Sequence, residues 1–298
     1  MTDTSDKARA MRLERLGSML DKHLENPRPA IETLVSELRD GDVRPELWEG
    51  FHVAAVRDAK EFELADAYRK IAGDRRLKKL SPAVHAQVLL HAADFFQGIL
   101  GDGDGAESFL KKVLDVAPDN TEAFNRLERR FDAANNDFEI VELYAKVAAT
   151  PPRPPDELAR RALKIVALLP AKTPLSDNAC RGLLSLVPTN SAILGAIEAH
   201  CQKTGRLALG CALIEQAIEN GGLSEVKTVE SHRRLIELYM GEANAPEKAI
   251  SHVEELLQRD PADAQGWATA ERLIPNRAVA SRAAAALQRA RRETRPPR

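Results

Sequence analysis

The run Gly101-Asp-Gly-Asp-Gly105 is the first place in this 298-residue chain where residue types and spacing could do chemistry. Alternating carboxylates on a flexible backbone are how a calcium loop begins. Such a loop needs oxygen ligands at several fixed positions and a closing Glu at the twelfth. Asp102 and Asp104 would be the first two, but Ala106 stands at the next ligand position and Val113 at the twelfth. The run also lacks the Lys-Ser/Thr ending of a phosphate loop. Its residue types instead predict a turn between two helices.

The seven histidines are His23, His52, His85, His91, His200, His232 and His252, and none forms a zinc-protease helix signature. His200-Cys201 with Cys211 puts two ligand types close together, but structural zinc takes four ligands in tight pairs and no second pair stands nearby. Cys180, Cys201 and Cys211 are an odd, sparse set that gives no disulfide framework and fits a reducing compartment; they read as small core residues. The nucleophile-elbow, dinucleotide and kinase signatures are absent. The expectation is a non-catalytic chain with no catalytic residue, cofactor or metal.

Composition agrees with a helical binding protein. Charged residues make up 30% and hydrophobic ones 44%, while aromatics are 4%. Abundant Ala, Leu, Glu and Arg favour helix, because these side chains lose little rotamer freedom there. Lys and Arg number 43 against 45 Asp and Glu, so a chain-wide signal for nucleic acid or a membrane surface is missing. The polar stretch Met1 to Arg15 has no apolar signal core, and no segment approaches the roughly 20 apolar residues of a membrane span. The expected location is the cytoplasm.

What would position any functional residue is a repeated helix pair. Ala249, Val253 and Leu256 share one helical stripe, and Asp260-Pro261 stops it. Ala106, Leu110 and Val113 lead likewise to Pro118. Ile140, Tyr144 and Val147 lead to Pro151-Pro152. Gly210, Ile214 and Ala217 lead to Asn220-Gly221-Gly222, where glycine terminates. Pro118 and Pro152 are 34 residues apart, and Pro152 and Pro188 are 36 apart. Each such helix has a partner before it: Phe124, Leu127 and Phe131 form one stripe, Trp48, Phe51 and Ala55 another, Leu235 and Tyr239 another. Leu13, Leu16-Gly17 and Leu20, followed by Ala30 and Leu34, form the earliest.

These residues resemble the tetratricopeptide repeat family. Its pattern has a Leu-small pair, an aromatic, a small Ala, a second Ala and a Pro, met by Leu16-Gly17, Ala30, Ala106, Tyr144, Ala249 and Asp260-Pro261. The family's first-helix Gly is replaced by Asp94, Glu128 or Glu198. The unit from Pro155 to Pro188 fits worst, because Arg160-Arg161 and Pro170 spoil its register. The resemblance implies an all-α, right-handed superhelical solenoid. About eight antiparallel helix pairs are expected, near 8–40, 45–73, 81–117, 120–150, 156–187, 190–221, 225–260 and 263–292. Residues 1–298 would be one array, with a bend at 151–155 and frayed ends at 1–7 and 293–298.

The resemblance also implies that first-helix residues line a concave face that holds a partner peptide or helix. The positions are Glu122, Asn125, Arg126 and Arg129, with His91 and Phe95 on one neighbour and Arg160, Arg161 and Lys164 on the other. Their basic cluster suits an acidic or C-terminal carboxylate segment, since the Arg fork grips a carboxylate with two hydrogen bonds. The competing reading is a solvated face of exposed ion pairs, each worth about 0–1 kcal/mol. The expected function is a protein–protein interaction scaffold or adaptor of bacterial style. The alternatives are an assembly subunit of an enzyme complex and, less favoured, a helical-repeat nucleic-acid binder. A homodimer stays open, because Ala278 to Ala290 is a small-residue helix suited to packing against a copy.

Overall fold

The computed structural model describes residues 45–57, 59–75 and 77–294. The expected first pair at 8–40, with Leu13, Leu16, Gly17, Leu20, Ala30 and Leu34, lies outside them. So do residues 1–7 and 295–298. Among the described residues there are fourteen α-helices and no strand, so the protein is all-α. They divide into two compact units after Asn135. The first holds α1 (Pro45–Arg57), α2 (Glu61–Ala72), α3 (Pro82–Gly98), α4 (Gly103–Val116) and α5 (Thr121–Ala133). The second begins with α6 (Asp137–Val147), α7 (Pro155–Leu168), α8 (Asp177–Leu183), α9 (Ala192–Lys203) and α10 (Leu207–Glu219). It ends with α11 (Glu225–Met240), α12 (Pro246–Arg259), α13 (Ala264–Leu273) and α14 (Ala280–Glu293).

Local sequence sets the helix ends. Asn120, Ser176 and Asp263 accept N–H bonds from residues three further on and so cap α5, α8 and α13. The Gly101–Gly105 run is such a device: Gly101 turns the chain at φ 64°, and Asp102 accepts from the Gly105 N–H at 2.8 Å to open α4. Gly221, at φ 67°, follows α10 as the termination signal requires. Around 155–188 the awkward register has a visible result. Pro170 and Pro174 lie in a non-helical stretch after α7, and α8 is only seven residues long before it tightens into a 3-10 turn at Leu184–Leu186.

Each stripe read from the sequence is buried where it is described. Phe124 and Leu127 are wholly enclosed on α5, as are Tyr144 and Val147 on α6 and Ala249, Val253 and Leu256 on α12. In the second unit, α9 pairs with α10, α11 with α12 and α13 with α14. Second helices also pack on second helices, α6 on α8 and α12 on α14, while α7 packs on α9 among the first helices. Ala283, Ala286 and Ala290, the small side of α14, are spent in the core against α12 and α13. That side is already covered within the chain and does not offer the face for a copy that the small-residue run suggested.

Side chains tie neighbouring pairs together at about one repeat length. In the first unit Arg126 Nη1 donates to Asp94 Oδ1 at 2.6 Å, 32 residues earlier. In the second unit Ser176 reaches Glu142 across 34 residues, and Arg234 Nη2 reaches Glu198 at 2.7 Å across 36. Asp94 and Glu198 are two of the residues that stand where the resemblance read from the sequence expects a first-helix Gly. The replacement is thus the acidic half of a rung between successive first helices. Glu198 is the more enclosed of the two acids, 13% exposed against 50% for Asp94, while its partner Arg234 keeps 38% of its side chain in solvent. A Glu198→Gln, Arg234→Gln double-mutant cycle in chemical denaturation should return a coupling of about 1 kcal/mol. Strict additivity of the two variants would remove the rung's energetic role.

Candidate partner-binding surface

The residues expected to hold a partner sit on first helices, but in different states. Arg126 is engaged on α5: besides Asp94 it donates to Gln97 Oε1 at 2.7 Å and lies 3.4 Å from Glu122. Arg129, one turn from half-buried Asn125, is exposed and forms no ion pair among the described residues. His91 is half-buried on α3, its ring stacked on the Trp48 indole with centroids 5.0 Å apart. Burial lowers its pKa, against the pull of Asp94.

Phe95 is not at the surface. It is fully enclosed, with ring centroids 5.0 Å from His52 and 5.6 Å from Tyr68. Its part is to pack α3 against α1 and α2, and it is not available to a partner. The physical reason is that α3 buries residues all round its circumference, so no single stripe identifies its outward face.

Arg161 and Lys164 lie on α7 in the second unit. Arg161 is half-buried, its guanidinium 5.8 Å from the centre of the Tyr144 ring, within cation–π range. Lys164 is exposed. Several other basic residues are answered by acids. Arg160 pairs with Asp156 at 3.3 Å, and Arg130 pairs with Asp104 and with Glu107, the latter at 2.7 Å. Cys180, Cys201 and Cys211 are free and buried, as small core residues should be. His200 is buried and accepts from the Leu175 N–H at 3.3 Å, a structural role.

Two features were not read from the sequence. One is a groove of about 210 Å³ between first helices α9 and α11, floored by Leu194 and Ile214 and flanked by Glu198 and Arg234. The other is a larger cavity among α10, α11 and α12 that brings together Glu215, His232 and His252. No local motif announces either one. The available signal was the repeat length itself: Glu215 and His252 are 37 residues apart and meet because they stand on successive second helices.

No family model matches the chain, and no curated protein matches it. Among solved structures, an assembly chaperone of RpL4 (Acl4) is 14% identical, over 84% of this chain and 99% of that one, with a TM-score of 0.25. A computationally designed self-assembling cyclic homooligomer is also 14% identical, over 94% and 95%, with a TM-score of 0.13. No helix among the described residues is long and apolar enough to cross a membrane.

Proposed function

We propose that this chain is a non-catalytic protein-binding scaffold of the cytoplasm, a tetratricopeptide-like array that holds an acidic or C-terminal segment of a partner on its first helices. The observation that carries this reading is how the cations on those helices divide. Within the first unit Arg126 is consumed by its rung to Asp94 whereas Arg129 is exposed, and within the second Arg234 is consumed by its rung to Glu198 whereas Lys164 is exposed. An exposed Arg on a rigid helix is ready to take a carboxylate in two hydrogen bonds without first giving up an internal partner. Stacked helix pairs provide the extended surface that such a segment needs.

The test is affinity capture from nuclease-treated lysate, with mass spectrometry of what is retained, comparing wild type with Arg129→Glu. A discrete protein held by wild type and lost from the variant supports the reading. Equal retention by both overturns the site. An Arg126→Glu control separates surface from scaffold, because it should weaken the first unit thermally through repulsion from Asp94 and Glu122.

A further inference from the structure

The groove between α9 and α11 lies where two first helices turn equivalent positions toward each other. Glu198 and Arg234 are 36 residues apart, and Gly195 and Ser231, one turn earlier on each helix, keep the same separation. A Cβ at Gly195 would meet nothing within 4 Å, so the α9 wall of the groove is cut back at this point. The space amounts to about 210 Å³ over Leu194 and Ile214. An apolar cavity of about 150 Å³ already admits a benzene ring.

The charges that flank the groove are satisfied among themselves. Arg234 donates Nε and Nη2 to Glu198 and Nη1 to Glu237, and Lys227 donates to Glu230 at 2.7 Å. A charged guest would find its counter-ion already taken, so electrostatic complementarity favours a neutral one. Ser231 adds an independent demand. It lines the groove and is only 9% exposed. Its hydroxyl forms no hydrogen bond with any described residue, and its oxygen is not sealed from solvent. The groove is the side on which Ser231 opens, so the hydroxyl is offered there as both donor and acceptor. A largely buried hydroxyl without a partner calls for one. Among side chains, tyrosine alone joins an uncharged six-membered ring to a hydroxyl.

We propose that this groove receives a tyrosine side chain of a partner protein, with the ring on Leu194 and Ile214 and the phenol hydroxyl paired with Ser231 Oγ. The inference rests on the reading of the first helices as the partner face, but not on Arg129 or Lys164. It gives that face a neutral aromatic anchor, the kind of contact that carries most of the energy of an interface.

The test uses a capped Gly-Gly-Tyr-Gly-Gly peptide, titrated into the full chain while the Leu194 and Ile214 methyl signals are followed by NMR. The same peptide with phenylalanine keeps the ring and removes the hydroxyl. The expected result is a saturable shift of both methyl sets, with the tyrosine peptide bound about tenfold more tightly. Ser231→Ala should erase that preference. Gly195→Leu should fill the groove and abolish binding of both peptides. Gly195 is an exposed helix position with open space beside it, so the fold should persist, and circular dichroism verifies it. Unshifted methyls, equal affinities in wild type, a preference kept in Ser231→Ala, or undiminished binding in Gly195→Leu would each overturn the assignment. No cellular partner enters the titration, so its failure and a failed capture at Arg129 are read separately.

Discussion

Gly182→Ala should destabilise the second unit by about 3 kcal/mol, lowering its thermal midpoint by roughly 10 °C, at the upper end of the overpacking range. Gly182 lies on α8 where that helix crosses α6. A Cβ there would stand 2.4 Å from the Ala145 carbonyl oxygen and 2.9 Å from its carbonyl carbon. The obstacle is backbone, which cannot swing aside as a flexible side chain would. The two second helices must separate, and the layer beneath them, including enclosed Leu183 and Tyr144, must loosen. Gly195→Ala, on α9, is the matched control. A Cβ at Gly195 meets nothing within 4 Å, so the substitution simply relieves a helix of its glycine. It should stabilise by about 0.5–1 kcal/mol. Differential scanning calorimetry of both variants reads the contrast. Equal effects of the same sign would mean that α8 does not approach α6 as closely as described.

Acid should weaken both units through one imidazole in each. Burial, with His91 beside it, brings His52 down to about 4, although Asp94 pulls the other way. Its Nε2 is 2.9 Å from the Tyr68 hydroxyl. Burial, with His252 and Arg259 nearby and Glu225 opposing, brings His232 down to about 4. In the unfolded chain each would titrate near 6.5. Between these values the unfolded state binds more protons, so folding stability rises with pH. The contribution is therefore whole above about pH 6.5, declines as pH falls, and is gone by about pH 4. Each histidine is expected to account for up to about 3 kcal/mol. Urea denaturation across that window should show the loss. His52→Gln and His232→Gln should each flatten the profile by about one proton, whatever their effect at neutral pH. Carboxylates titrate at the acid end too, so the difference in slope between wild type and variants is the decisive quantity. Parallel profiles would contradict the burial described.

The helix pairs were legible because their physics is local. A stripe at helical spacing, an Asn or Ser cap and a closing Pro or Gly can each be read within a few residues. Phe124, Tyr144 and Val253 are buried as their stripes required. The disturbed register near Arg160 and Pro170 also pointed to a real irregularity, the short α8. The surface was harder to read. Phe95 follows His91 by one turn, and both fit a lining face, yet α3 buries Phe95 because it is apolar all round. Arg126 looked like free charge because its acid lies 32 residues away. Asp94 and Glu198 stand out in the sequence as departures from the repeat pattern it resembles. Their meaning as rung partners needed the relative placement of two helices, which no single repeat contains. The His232–His252–Glu215 constellation is a stronger case, since it joins three helices.

The rungs have a consequence for how the chain acquires its structure. In the second unit the ties between successive helix pairs, Arg282–Glu254, Ser176–Glu142, Arg234–Glu198 and His252–Glu215, join residues 28, 34, 36 and 37 apart. Bringing such residues together closes a loop of about one repeat each time, so the entropic toll per step stays nearly constant as the array grows. Contacts of this short reach favour rapid folding, and a stack can nucleate at any pair and propagate. A nascent chain that has just released α9 and α10 from the ribosome already holds everything those helices need on their upstream side. The array is therefore built to consolidate pair by pair during synthesis, with no requirement for its last helix before its first pairs are in place.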